Sequence, residues 1–266
     1  MLLVGDVMKI LVCVKQVADT EARFSVAADN RSLQYEKDTV YRMNRFDEFA
    51  LEEALRIRET IDPSVIDVVS VGAQRVRSTV QRAKETGADN GFHILLEQEG
   101  YLSPWTMASL IACFAAKNAY DLILTGAMSE DDMNGITGQM IAGLLNLPAA
   151  SSVIREQLKE KENTIYVERE IDATRREALV LKLPALLTIQ SGINTPRYPA
   201  LSHVLRARQQ SITIIAADEL GPICGCEKIR NITSVAATRE CVFLDGTVEE
   251  KAARLREILR GKSLLT

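Results

Sequence analysis

The segment GAMSEDDMNGITGQMIAGLL, residues 126–145, holds the residue types that could cradle a small anion. Gly126 closes the apolar run YDLILT, while Gly135 and Gly138 let backbone come close to a ligand. Thr137 and Gln139 add polar groups beside them. A helix starting near Gly135 would aim its free first-turn N–H groups at a phosphate. Asp131 and Asp132 do not help a phosphate directly; they fit better as caps of that helix or as partners of ribose hydroxyls. Asn44, Arg45, Phe46 and Asp47 open another helix with a second donor-rich N-terminus. Two helix N-termini on one crevice suit an adenine nucleotide. The same spacing also makes an ordinary Gly-rich turn with a capped helix, and motif alone leaves both readings open. G-x-G-x-x-G and the Walker lysine loop are absent, and no Lys or Arg lies within 126–145. The ligand expected is therefore lightly charged or bridging, not a triphosphate.

Leu183–Leu201, LPALLTIQSGINTPRYPAL, is the second informative stretch. Ala185 to Ile189 read as a strand covered on both faces. Gly192, Asn194, Pro196 and Pro199 then forbid regular structure. Arg197, Tyr198 and Leu201 sit in that stiffened loop and are costly groups to leave in water. Either the loop is built to touch another protein, or it is a crossover with its aromatic tucked down.

The elements that must position these residues alternate. Strands are expected at 8–17, 65–71, 92–96 and 120–125, with helices at 47–60, 75–85, 104–118 and 136–146. Pro104 sits in a first helical turn, where its missing N–H does no harm. In the helix at 47–60, Asp47, Glu48, Glu52 and Glu53 crowd the first half and Arg56 and Arg58 the end, complementing the dipole. Such alternation predicts an α/β fold with a parallel sheet and right-handed crossovers. Residues 24–35 read as a hairpin turning at Asp29-Asn30. Three strands at 153–158, 164–171 and 178–183 form an antiparallel excursion before the chain returns to the core at 185–190. A short helix at 203–209 and a strand at 211–216 follow. The organisation expected is one nucleotide-binding α/β domain over 1–217 and a C-terminal arm over 218–266, with a last amphipathic helix at 248–260 that packs on another chain.

Composition excludes several classes. Acidic residues exceed basic ones (36 against 32), without a concentrated Lys/Arg patch, which argues against nucleic acid. No apolar run reaches the ~20 residues of a membrane span. The N-terminus lacks the order of a signal peptide, and Met8 reads as a start with residues 1–7 an extension. An odd cysteine count (5) suits a reducing cytoplasm. Cys224-Gly-Cys226 with Cys241 lacks a fourth metal ligand, so no metal site is expected. His93 and His203 read as packing or surface groups, and neither G-x-S-x-G nor H-E-x-x-H occurs. No residue is read as acid, base or nucleophile.

These blocks together resemble the beta subunit of electron transfer flavoprotein. The resemblance rests on LVCVKQVADT (11–20), MNRFDEFALEEALRIRE (43–59), SVGA (70–73), TGADN (86–90), DLILTGAMSEDD through TGQMIAGLLNLP (121–148), VEREID (167–172), and LKLPALLT with NTPRYPAL. It implies an adenine-nucleotide hydrolase-like (Rossmann-like) fold, a heterodimer with an alpha subunit that holds most of the FAD, and AMP buried in the beta subunit. Carried over, the AMP site would use Cys13, Asn44, Arg45, Phe46, Asp47, Val71 and the loop of Gly126, Ala127, Met128, Ser129, Glu130, Asp131, Asp132, Met133, Asn134, Gly135, Ile136 and Thr137. The docking segment PRYxxL would be Arg197, Tyr198 and Leu201, with Leu201 entering a pocket on an acyl-CoA dehydrogenase. Electrons would pass on to a membrane quinone oxidoreductase.

Departures stand beside the likeness. The family loop GKQAxDxD is here GAMSEDD, without its Lys and Gln. The usual D-G-G after VEREI is Asp172-Ala173-Thr174, and the basic run after the docking helix is thinned to Arg206, Arg208, Gln209 and Gln210. Electron-bifurcating relatives hold a second FAD in place of AMP and use NADH, and that alternative is kept. An ATP-using ligase of the same fold would need an S-G-G-x-D-S-like loop where this chain has Val14-Lys15-Gln16-Val17.

Overall fold

The computed structural model describes residues 7–97, 100–172, 174–221, 227–233 and 241–264. Strand β1 (Met8–Cys13) leads into two small antiparallel ladders: β2 (Gln16–Ala18) on β5 (Tyr41–Met43), and β3 (Phe24–Val26) on β4 (Leu33–Tyr35). The expected first strand thus splits, because Ser70 Oγ and the Asn44 amide hydrogen-bond the Val14 and Lys15 carbonyls and turn the chain aside. The β3–β4 hairpin turns through Asn30 at φ 54°, a conformation Asn tolerates.

Helix α1 (Arg45–Thr60) follows, then β6 (Ser64–Gly72), α2 (Arg77–Thr86), β7 (Asn90–Leu95), α3 (Pro104–Asn118), β8 (Leu122–Gly126) and α4 (Thr137–Leu145). Ser103 caps α3 by accepting from the Thr106 amide, and Pro104 fills the first turn as its ring geometry demands. The excursion is β9 (Ala149–Lys159), β10 (Thr164–Asp172) and β11 (Arg175–Lys182), paired antiparallel. Then come β12 (Ala185–Ile189), α5 (Leu201–Gln209) and β13 (Thr213–Ala216).

All but the four short hairpin strands join one sheet, in the order β11-β10-β9-β12-β8-β1-β6-β7-β13. From β9 through β13 across the sheet, neighbours run parallel. The chain builds outward from β1 to β6 and β7, then returns to place β8 on the other side of β1. That reversal leaves a crevice at the carboxyl ends of β1 and β8, where open α/β sheets bind ligands.

Apolar residues on both faces of the central strands make two cores. One packs α1 residues such as Leu51 and Leu55 on Ile10, Val68, Leu124 and Leu187. The other packs α3 and α4, through Phe114 and Ile141, on Leu11, Val69, Ile123 and Leu186. Strand β12 is buried at every position, which is why ALLTI carries no charge.

The chain divides into two compact units, Met1–Ile232 and Thr233–Thr266. A 3-10 turn at Ala217–Leu220 belongs to the first and packs with α3. The second holds α6 (Val248–Gly261), which opens on a reciprocal capping box between Thr247 and Glu250. Its Val248 and Leu255 are exposed. Cys224 and Cys226, and with them the C-x-C reading, lie outside the described residues. Among the described residues, no group of His, Cys, Asp and Glu gathers with metal-binding geometry, and no helix is long and apolar enough to cross a membrane.

Candidate functional site

At the reversal of strand order, one side chain ties the two strand ends together. The Asp47 carboxylate, from the first turn of α1, accepts from the Lys15 amide (2.7 Å) beyond β1 and from the Gly126 amide (3.0 Å) at the end of β8. Burial pushes its pKa up to about 7, against the pull of those amide bonds. The approach is so close that a side chain at Gly126 has no room: its Cβ would meet the Asp47 carboxylate, and Phe46 Cβ at 2.7 Å.

Asn44 fixes the loop after β8. Its buried amide donates to the Met128 carbonyl (2.9 Å) and accepts from the Glu130 amide (3.1 Å), replacing a backbone ladder rung. Glu130 folds back to accept from the Arg45 amide (3.2 Å) and pairs with Arg42 (3.2 Å). The first amide of α1 is therefore already occupied, and that N-terminus offers fewer free donors than expected. The Arg45 guanidinium lies 5.7 Å over the Phe49 ring.

The expected capping role of Asp131 and Asp132 gives way to another. Lys15 Nζ reaches across to Asp131 (2.7 Å), Asp132 (3.1 Å) and the Ser129 hydroxyl (3.2 Å). Burial draws the Lys15 ammonium down in pKa, but the two aspartates outweigh it and hold it above its ordinary value. Burial likewise raises Asp132, yet the Ser129 hydrogen bond and Lys15 carry it below the usual carboxylate range. The positive charge missing from 126–145 thus arrives from a residue more than a hundred positions away. Helix α4, by contrast, has Ile136 as its N-cap and no side-chain cap, so its first-turn amides stay free to meet an anion.

These elements enclose a cleft of about 680 Å³, its open mouth included. Of the expected residues, Arg45, Phe46, Glu130, Asp131 and Met133 stand behind or beside the lining, and the others line it. Met133 points outward at 69% exposure. Gly138, expected to let backbone come close, and the strand ends Val14, Lys15 and Thr125 also line the cleft. Residues missed in the sequence are Leu102, Pro104, Met107 and Ile111. One signal was available: Pro104 opens an apolar helix between two sheet strands. Cys13 lines the cleft, and burial drives its thiol far above the ordinary range. The walls are apolar on the α3 side and hydrogen-bonding on the loop side. The space and donors fit a planar base against Met107 and Ile111 and a phosphate at α4.

The segment expected to dock a partner has two distinct halves. Arg197 turns inward: its guanidinium bonds Glu52 (2.8 Å) and Glu59 (2.7 Å) on α1, and its amide also donates to Glu52. Asn194 donates to the Phe49 carbonyl (2.9 Å) and Glu53 (2.7 Å). Tyr198 and Leu201 face out, 92% and 73% exposed. The tucked-down crossover does not occur.

Beneath this loop, Glu53 faces Glu156 of β9. Burial, and then the Glu53 charge, push Glu156 up to about 7 from an ordinary 4.5. The folded state holds that proton when the unfolded chain has lost it, so stability falls as pH rises from about 4.5 to 7 and is flat above. Glu156→Gln is expected to reduce this slope by a share worth no more than about 3 kcal/mol, in urea melts taken across that range, with Asp47 still contributing in the same window. An equal slope in the variant would assign the effect to other groups.

Fold and site together define a doubly wound α/β protein with a ligand crevice at its switch point. Comparison with known proteins makes this particular. A model of the electron transfer flavoprotein domain matches residues 32–220. The chain is 30% identical over 260 residues to the electron transfer flavoprotein subunit beta of Methylophilus methylotrophus, covering 95% of this chain and 98% of that one. It is 33% identical to the subunit beta of Dictyostelium discoideum (97% and 99% covered) and 35% identical to that of Mus musculus (95% and 98%). The chain belongs to the electron transfer flavoprotein beta-subunit family.

Proposed function

We propose that this chain is the beta subunit of a heterodimeric electron transfer flavoprotein, an electron carrier and not an enzyme. It binds AMP in the cleft as a structural piece and helps position FAD held on an alpha subunit. Leu201 and Tyr198 dock acyl-CoA dehydrogenases, and electrons go on to a membrane quinone oxidoreductase from a cytoplasmic complex. Residues 218–266 form the arm that packs on the alpha subunit. The observation that carries the nucleotide reading is the uncapped start of α4, facing a cleft whose opposite wall is a loop pinned by Asn44. Bound AMP would place its phosphate at Thr137 and Gly138 and its base against the α3 side chains. Shuttling needs close flavins and reversible docking, so the absence of a proposed acid or base is consistent with it.

A second reading has one observation in its favour. The loop reads GAMSEDD, without the Lys and Gln of the usual pattern, and Asp131 and Asp132 share one ammonium, that of Lys15, from outside the loop. On that reading the cleft takes a second FAD and the complex bifurcates electrons from NADH. Acid denaturation of the purified heterodimer separates the two. One FAD and one AMP released per heterodimer is the expected result; two FAD and no AMP would establish the bifurcating form.

A further inference from the structure

A second cleft opens at the other end of the sheet, between the last turn of α1, the end of α2, the start of β7 and α5. Its space is about 800 Å³ with its open mouth, and Arg58, Lys84, Asp89, His203, Arg206 and Gln210 border it. The charges do not cancel. Arg58 is committed to Asp89 (3.2 Å). Glu85, the next carboxylate along α2, pairs with Arg82 (4.0 Å) and Arg208 (3.7 Å). The carbonyls of Ala83 and Lys84, which would present the negative end of α2, already accept from the Gly87 and Ala88 amides. Among the described residues no carboxylate pairs with Lys84 or Arg206.

Lys84 is the unusual group. It is only 4% exposed, and its ammonium makes one hydrogen bond, to the Ser211 carbonyl at 2.9 Å. Two of its three N–H donors are left for the cleft. Burial draws its pKa below the ordinary lysine value, as expected of an ammonium without a counter-charge. Its stem is held in place along Gly91, where any side chain would collide with Lys84 Cδ. A buried cation with spare donors is costly unless an anion meets it.

We propose that this cleft binds a tetrahedral oxyanion of the phosphate class, held by the Lys84 ammonium and the Arg206 guanidinium with the His203 imidazole as a third partner. Lysine supplies the buried point charge, and arginine the fork that grips paired oxygens. Because His203 and Arg206 ride on α5, the ion ties that helix to α2 and β7. The site lies outside the nucleotide cleft and does not depend on which nucleotide fills it.

The test titrates inorganic phosphate into the intact heterodimer at constant ionic strength, read by calorimetry and by thermal melting. One phosphate per heterodimer is expected, with a rise in Tm of about 3 °C at tenfold over the dissociation constant. Acetate should bind at least tenfold more weakly. Lys84→Met keeps the stem along Gly91, and Arg206→Gln alters an exposed side chain; each should weaken phosphate binding tenfold or more. Arg31→Gln, on the distant hairpin, should change nothing. If phosphate, acetate and chloride act alike, or if both Lys84→Met and Arg206→Gln leave the response intact, the cleft takes an adventitious ion only and the proposal is overturned.

Discussion

Gly126→Ala is expected to destabilise the protein by roughly 3–5 kcal/mol and to disorder the cleft proposed to hold a nucleotide. The added methyl would overlap the Asp47 carboxylate and the Phe46 backbone at 2.8 Å. Overpacking a rigid site costs about 1–3 kcal/mol. Pushing Asp47 aside also strands the Lys15 and Gly126 amides, at about 1–3 kcal/mol for an unpaired buried group. Neither neighbour can yield, because Phe46 and Asp47 are in the first turn of α1 and the Gly126 amide ends a central strand. Thermal melting should show a fall in Tm of about 10 °C, accompanied by loss of copurifying nucleotide. Asp47→Asn is the informative companion. It keeps the shape and one acceptor, so it should lose only about 1–2 kcal/mol. A Gly126→Ala protein that melts like the parent would show that α1 and β8 can move apart, and the account of this corner would fail.

Much of this corner was legible in the sequence, and its limits are instructive. Alternating apolar runs and Gly or Pro breaks gave the parallel sheet, since a strand buried on both faces cannot hide its composition. Helix α3 agreed to the residue because Pro104 and the Ala119 turn mark both ends physically. What was not legible was long-range pairing. Lys15 and Asp131 are partners only because β1 and β8 are neighbours across the strand reversal. Local rules made Asp131 and Asp132 helix caps or partners of ribose hydroxyls; the structure pairs both with a distant ammonium and gives neither a capping bond to α4. Glu52 and Glu53 read only as complements to the α1 dipole, yet both are buried, because the loop 190–200 folds over them and supplies Arg197 and Asn194. Local spacing sees the residues of a helix and not the loop that comes to cover it.

In the docking proposed for this loop, that covering gives two residues different parts. Leu201→Ala should slow electron transfer from an acyl-CoA dehydrogenase roughly 10- to 100-fold, the weight of a 1.5–3 kcal/mol apolar anchor. Leu201 is exposed in the free chain, so flavin content and Tm should not move. Arg197, though partly exposed, is tied down and holds the loop to α1 through Glu52 and Glu59. Arg197→Gln should therefore lower Tm, since it leaves buried Glu52 without its partner, and should also slow transfer, because the tip is no longer held in place. Adding Leu201→Ala to Arg197→Gln should then cost less than Leu201→Ala alone, as a loosened loop has already lost part of its anchor. Stopped-flow reduction of the heterodimer by the dehydrogenase, with the four proteins side by side, reads this coupling. Strict additivity of the two changes would mean that Arg197 serves only stability, and unchanged kinetics in Leu201→Ala would remove the docking tip itself.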